Sequence, residues 1–272
     1  RLGPPEEILD ERDAIAVGVF SAREPLVVAG LGVAAAVFER LGGGVTIEVL
    51  HPDGAFVEAN ERTNVATLCG PAHTVLTGER VALNLLQRMC GVATRTRTFV
   101  REVPSTSRMR ITDTRKTTPG LRALERYAVR CGGGLNHRND LGAGLLVKDN
   151  HIVLCGGVGN AVRRARASAP HTLRVEIEVD SLALLDDALE AGADVILLDN
   201  FDDATVRAAV ERVGRFCEGG KPRPVLEVSG GVKLERIRTL AELGVDVVSV
   251  GSLTHGARAV DIGLDLELRA AG

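Results

Sequence analysis

The sequence predicts an α/β protein, with a mixed N-terminal module followed by a parallel α/β barrel. Three observations predict it. From Arg108 onward, a short apolar strand, a polar or Gly-rich turn and an amphipathic helix recur about every 20–30 residues, the rhythm of parallel strands joined by right-handed crossovers. Polar residues close nearly every one of those strands, where barrel enzymes assemble their sites. Aromatics make up only 3% of the chain, with no Trp, so the core is built from small aliphatic residues that let helices pack closely on a parallel sheet. An open doubly wound sheet is the rival arrangement, and the polar strand ends favour the barrel.

The first hundred residues alternate helix and strand. An Ala-rich apolar helix fits Val27–Leu41 and is closed by Gly42, Gly43 and Gly44. Strands fit Val45–Leu50 and Ala55–Ala59, with His51-Pro52-Asp53-Gly54 as the turn between them. Val65–Val75 continues extended past Gly70-Pro71. A long helix then opens at Thr77-Gly78-Glu79 and covers Arg80–Arg101. The barrel strands fit Met109–Thr112, Gly144–Val147, Leu173–Val179, Val195–Leu198, Val225–Val228 and Val245–Val250. Helices fit near 119–130, 157–168, 181–191, 203–214 and 233–243. Asp261–Leu268 alternates again and is expected to rejoin the first module. The expected domains are therefore 1–104, with 263–272 returning to it, and 105–262.

The 272 residues carry a net charge of −3, which gives no basic field for nucleic acid. No apolar run reaches the roughly 18 residues of a membrane span. Five cysteines (Cys69, Cys90, Cys131, Cys155 and Cys217) form no CxxC pair, so buried thiols in a reducing cytoplasm are expected rather than a disulfide framework or zinc site. The chain opens on Arg1 and no signal peptide is evident, and further residues are expected before Arg1. Between Arg108 and Lys148, nine Lys/Arg stand against three Asp/Glu. Arg122, Arg126 and Arg130 fit a solvated helix face. Arg115, Lys116, Arg138 and Lys148 do not.

Those four cations lie at strand ends or in the turns beside them. Arg115 and Arg138 can each grip a planar carboxylate with two parallel hydrogen bonds, while Lys116 and Lys148 bring compact charge. Glu176 and Glu178 face one side of their strand, and a carboxylate inside a barrel needs a cation, a metal or a hydroxyl donor. Asp199 closes an apolar strand, where it could equally cap the next helix. Ser229-Gly230-Gly231 and Gly251-Ser252 occupy consecutive late loops, where bare amides suit a phosphate. Turn geometry alone would also explain those glycines. Together these residues describe a ring of cations above deeper carboxylates, suited to a small, multiply anionic, phosphate-bearing substrate.

Thr112-Asp113-Thr114-Arg115-Lys116-Thr117-Thr118-Pro119-Gly120, then Gly132-Gly133-Gly134-Leu135-Asn136-His137-Arg138, then Val147-Lys148-Asp149-Asn150-His151, resembles the quinolinate phosphoribosyltransferase family. Glu176-Ile177-Glu178-Val179, Leu198-Asp199-Asn200, Ser229-Gly230-Gly231 and Gly251-Ser252-Leu253-Thr254-His255 continue the likeness, and Gly78-Glu79-Arg80 begins it upstream. The resemblance implies an N-terminal α/β sandwich and a C-terminal open, TIM-like α/β barrel, working as a homodimer. It implies Mg2+-dependent transfer of phosphoribosyl from phosphoribosyl pyrophosphate to quinolinate, with decarboxylation to nicotinate mononucleotide. Arg115, His137, Arg138 and Lys148 would hold the two quinolinate carboxylates, and Arg80 would reach in from the partner subunit. Thr114 and Lys116 would lie against the anionic substrates. Glu178 and Asp199 would face the ribose hydroxyls and the Mg2+–pyrophosphate, with Lys116, Glu178 and Asp199 as the catalytic set. Ser229, Gly230, Gly231, Val250, Gly251 and Ser252 would take the 5′-phosphate. A non-decarboxylating relative, a barrel enzyme for another anionic heterocycle, and a non-catalytic binding protein on the same scaffold are the alternatives.

Overall fold

The computed structural model describes residues 14–58 and 62–269. In chain order the first elements are β1 (Ile15–Ala22), β2 (Leu26–Val27), α1 (Leu31–Arg40), β3 (Thr46–Val49), β4 (Phe56–Val57), β5 (Thr63–Pro71) and α2 (Ala72–Arg101). Next come β6 (Arg110–Thr112), α3 (Arg122–Cys131), β7 (Leu145–Val147), α4 (Asp149–Cys155), α5 (Val158–Ser168), β8 (Val175–Val179), α6 (Leu182–Glu190) and β9 (Val195–Asp199). The last are α7 (Asp203–Cys217), β10 (Val225–Ser229), α8 (Ile237–Leu243), β11 (Val247–Ser249) and β12 (Ile262–Arg269). Two compact units result. Of the described residues, one takes those up to Arg97, Thr118–Gly133 and those from Leu253 onward; the other takes Thr98–Thr117 and Gly134–Ser252.

The first unit is built on an antiparallel sheet of order β12-β1-β5-β3. In β1, Ala16, Gly18, Phe20 and Ala22 point to the buried face, joining Leu26, Phe38, Leu68, Leu86 and Ile262 in one core. The returning tail pairs along all of β1, from Ile15↔Arg269 to Ala22↔Ile262. Three local expectations change here. The helix expected from Val27 begins at Leu31, because the Asp53 carboxylate accepts from the amides of Gly30 (2.9 Å) and Leu31 (3.3 Å) and so fixes its first turn. The strand expected over Ala55–Ala59 is the two-residue β4, and Ala59 lies outside the described residues. Extension stops at Pro71, and α2 starts eight residues before Arg80, running through Gly78. That glycine is a close approach rather than a stop: a Cβ there would meet the Phe38 ring at 2.7 Å.

The helix expected near 119–130 packs within this first unit as α3, as does the segment 253–262, although the sequence grouped both with the barrel. Glu125 of α3 is fully buried, and its carboxylate is held by Arg88 of α2, which explains the grouping.

The second unit carries six parallel strands in the order β6-β11-β10-β9-β8-β7. Buried aliphatic stripes cover this sheet: Val158, Ala161 and Val162 of α5, Leu185, Ala188 and Leu189 of α6, Val206, Ala209 and Val213 of α7, and Ile237, Leu240 and Ala241 of α8. The end strands β6 and β7 do not pair with each other among the described residues, and β6 gains only a bridge from Thr112 to Leu135 on its outer side. Yet residues just after β6 and residues of β7 line one cavity, so the sheet curls into an open barrel.

Candidate active site at the strand ends

The cavity measures about 490 Å3 and lies wholly within the second unit, at the C-terminal ends of the strands. Eleven of the residues singled out from the sequence line it: Thr114, Arg115, Lys116, His137, Arg138, Lys148, Glu178, Asp199, Ser229, Gly230 and Gly231. Four do not. Arg80 is exposed on α2 in the first unit, and Val250, Gly251 and Ser252 come after Ser249, the last residue of β11 and the last in the wall.

Local chemistry sets each side chain. The Thr114 hydroxyl accepts from the Lys116 amide at 3.1 Å, turning the chain after β6 so that Thr114, Arg115 and Lys116 all reach the wall. Arg138 is pulled below its ordinary pKa first by burial and then by the like charge of Arg115, with Glu176 working the other way. Two guanidinium groups that repel each other across a cavity are relieved by an anion placed between them. Lys148 Nζ meets Glu178 Oε2 at 2.5 Å, and Asn200 donates to Asp199 Oδ2 at 2.7 Å. Gly230 and Gly231 have φ of 93° and 55°, left-handed conformations that favour glycine. A Cβ on Gly230 would also collide with Asn200, itself in the left-handed region at φ 57°.

Beneath the cations lies a buried cluster. His137 Nε2 faces Glu176 Oε1 at 3.5 Å and Glu227 Oε1 at 3.4 Å, and neither oxygen makes a hydrogen bond. The Arg138 amide donates to His137 Nδ1 at 2.8 Å, which puts the first ring proton on Nε2, toward the carboxylates. These three residues have metal-ligand spacing, with ligand atoms within 4.8 Å of one another. A proton on Nε2 makes them an acid–base cluster instead. Burial opposes a charge on His137, but the two glutamates outweigh it and raise its pKa; the amide at Nδ1 acts against them.

Sequence reasoning gives no role to Glu227, Asn200, Leu146, Leu197 or Ser249, all in the wall. A signal for Glu227 exists: it is a carboxylate inside the apolar run Val225–Val228, and it sits in the cross-strand row Glu178–Leu197–Glu227. Of the two aligned glutamates on β8, Glu178 reaches the cavity and Glu176 lies deeper. No cysteine lines the cavity, and burial pushes the Cys90 thiol up to about 12. Among the described residues, no helix is long and apolar enough to cross a membrane.

Comparison with known proteins places the chain in a family. Residues 6–90 match the N-terminal domain, and residues 92–265 the C-terminal domain, described as quinolinate phosphoribosyl transferase. The chain is 44% identical over 254 residues to the Mycobacterium leprae protein named nicotinate-nucleotide pyrophosphorylase (carboxylating), covering 93% of this chain and 87% of that one. It is 44% identical over 221 residues to the Bacillus subtilis protein with the same name marked probable, covering 81% and 73%. The crystal structure of NadC from Streptococcus pyogenes superposes with a TM-score of 0.88 at 37% identity, covering 97% of this chain and 90% of that one.

Proposed function

Because the chain belongs to the quinolinate phosphoribosyl transferase family, we infer that the barrel cavity converts quinolinate and phosphoribosyl pyrophosphate to nicotinate mononucleotide, pyrophosphate and carbon dioxide, a step of NAD biosynthesis. The observation that carries this is the convergence of Arg115, Lys116, His137, Arg138 and Lys148 on one 490 Å3 space. A mono-acid needs fewer cations than these. The two arginines and Lys148 grip the two ring carboxylates, and His137 supports them from below. Ser229, Gly230 and Gly231 offer hydroxyl and amide donors to the 5′-phosphate.

Displacing pyrophosphate builds positive charge on the ribose and negative charge on the leaving group. Glu178 stabilises the first and Lys116 the second. Once the ring nitrogen carries ribose it is cationic, and it accepts the electron pair left when the adjacent carboxylate departs as carbon dioxide. The remaining work is orientation and electrostatics, for which no nucleophilic side chain is needed. Glu178 and Asp199 are two carboxylates in one polar wall, a donor set that suits Mg2+ shared with a substrate pyrophosphate. When bound, the ion would neutralise charge on the leaving group. We further propose a cytoplasmic homodimer in which Arg80 serves the site of the second copy.

The test is to supply protein, Mg2+, phosphoribosyl pyrophosphate and quinolinate and to assay nicotinate mononucleotide. Product is expected from quinolinate. Turnover of nicotinate in its place, with none from quinolinate, would reassign the site to a non-decarboxylating reaction. Subunit sharing is tested by mixing Arg80→Ala with Lys116→Ala protein under subunit exchange. Recovered activity supports it, and none refutes it.

A further inference from the structure

We propose that Asp113, a buried carboxylate outside the cavity wall, is the positioning residue that sets His137 and Arg138 against the acceptor and so governs recognition of its carboxylates. The proposal rests on reading the cavity as the quinolinate site. Asp113 comes directly after β6 and is fully buried, whereas its neighbours Thr114, Arg115 and Lys116 all line the cavity. A carboxylate in that position is tolerated only when its oxygens are bound. Oδ1 accepts the His137 amide at 2.8 Å, and Oδ2 accepts Asn136 Nδ2 at 2.7 Å. The backbone of the same region is tied as well: Asp113 N donates to Leu135 O at 3.2 Å, and Leu135 N donates to Ile111 O at 2.8 Å.

The segment Leu135–His137 is therefore stitched to the end of β6 by both main chain and side chain. Arg138 carries that placement into the cavity. Its amide is bonded to the His137 ring, and its Nη1 reaches Gly144 O at 3.3 Å. Both cations thus take their position from a group that touches no substrate. The two donors arriving at Asp113 require two acceptors, which a carboxylate supplies. An asparagine would present NH2 to one of them and lose that bond.

The experiment compares Asp113→Asn, Asn136→Ala and the reciprocal pair Asp113→Asn with Asn136→Asp in the full-length enzyme. In Asp113→Asn, the KM for quinolinate should rise at least tenfold while the KM for phosphoribosyl pyrophosphate stays within twofold. The reciprocal pair, which exchanges donor and acceptor, should recover most of that loss. Asn136→Ala takes the Nδ2 donor from Oδ2 while Oδ1 keeps the His137 amide, and it should raise the quinolinate KM several-fold. It keeps the test open if Asp113→Asn does not fold. An unchanged quinolinate KM in the folded variants, an equal rise for both substrates, or no recovery in the reciprocal pair would overturn the proposal. A wild-type enzyme that makes no nicotinate mononucleotide would instead refute the functional reading beneath it.

Discussion

Two of the buried carboxylate sites, one taken from each unit, are treated in opposite ways. Glu125 in the first unit is saturated: Oε1 accepts from Arg88 Nε (3.0 Å), Arg88 Nη2 (2.6 Å) and the Thr118 hydroxyl (2.7 Å), and Oε2 accepts from the Thr118 amide (3.0 Å). Arg88 spends its remaining donors on Ala257 O and Thr254 O. In the second unit, Glu176 and Glu227 are almost as buried, yet each leaves Oε1 without a hydrogen bond, facing His137. A folding unit gains nothing by keeping such groups short of partners. The difference separates a structural carboxylate from a pair retained for the charge it places beside a binding site.

The largest effect that would test this contrast is on stability. Glu125→Ala leaves the half-buried Arg88 without its counter-ion and should cost about 3 kcal/mol, seen as a clear fall in Tm. A Tm within about 2 °C of wild type would erase the contrast from the first unit's side. Glu227→Gln is next. It removes one of the two charges facing His137 at constant shape; the stability lost as the His137 pKa falls offsets the relief of a buried carboxylate, so Tm should change little, while kcat/KM for quinolinate falls about tenfold, or about 1.4 kcal/mol. A large loss of stability would show the carboxylate to be structural after all. A further effect comes from the titration of His137, whose pKa stands above the ordinary 6.5 and is raised to about 10. The raised value contributes stability that is full below pH 6.5 and fades as pH climbs toward 10. Tm measured at pH 6 and pH 9 should fall between the two in wild type, and by less when Glu176→Gln and Glu227→Gln are combined. The least effect belongs to Lys221→Ala, which breaks an exposed pair with Glu190 and should change stability by about 1 kcal/mol or less in denaturant unfolding.

What the sequence makes legible is local. The barrel strands show as apolar runs because both their faces are covered, and the cation ring shows because charge at the end of such a run is conspicuous. Long-range pairing is hidden. Nothing near Glu125 or Arg88 announces that they meet, so the packing of α3 within the first unit cannot be read from the sequence. β1 escapes a sequence reading because Gly18 and Ala16 dilute its alternation, and Gly18 sits in tight packing: a Cβ there would meet the end of the Leu266 side chain at 2.6 Å, which would have to shift. α4 escapes because Lys148-Asp149-Asn150-His151 looks like a polar turn, when the His151 ring in fact accepts from the Lys148 amide and closes the start of a short helix. The division of labour between Glu176 and Glu178 is likewise invisible, since both face the same way and only the depth of the barrel distinguishes them.

The pairing of β1 with β12 has a consequence for synthesis. Ala22 leaves the ribosome 240 residues ahead of Ile262, its partner in the sheet. At about 5–20 residues per second, that is a wait of roughly 10–50 s. Throughout that interval β1 can pair with β5 on one side only, and its other edge offers open amides and carbonyls to any neighbouring nascent chain. The parallel strands and crossover helices from β6 to β11 are all translated before the missing strand appears. The nascent chain therefore completes its last sheet around its earliest strand, and translation speed sets how long that edge stays uncovered.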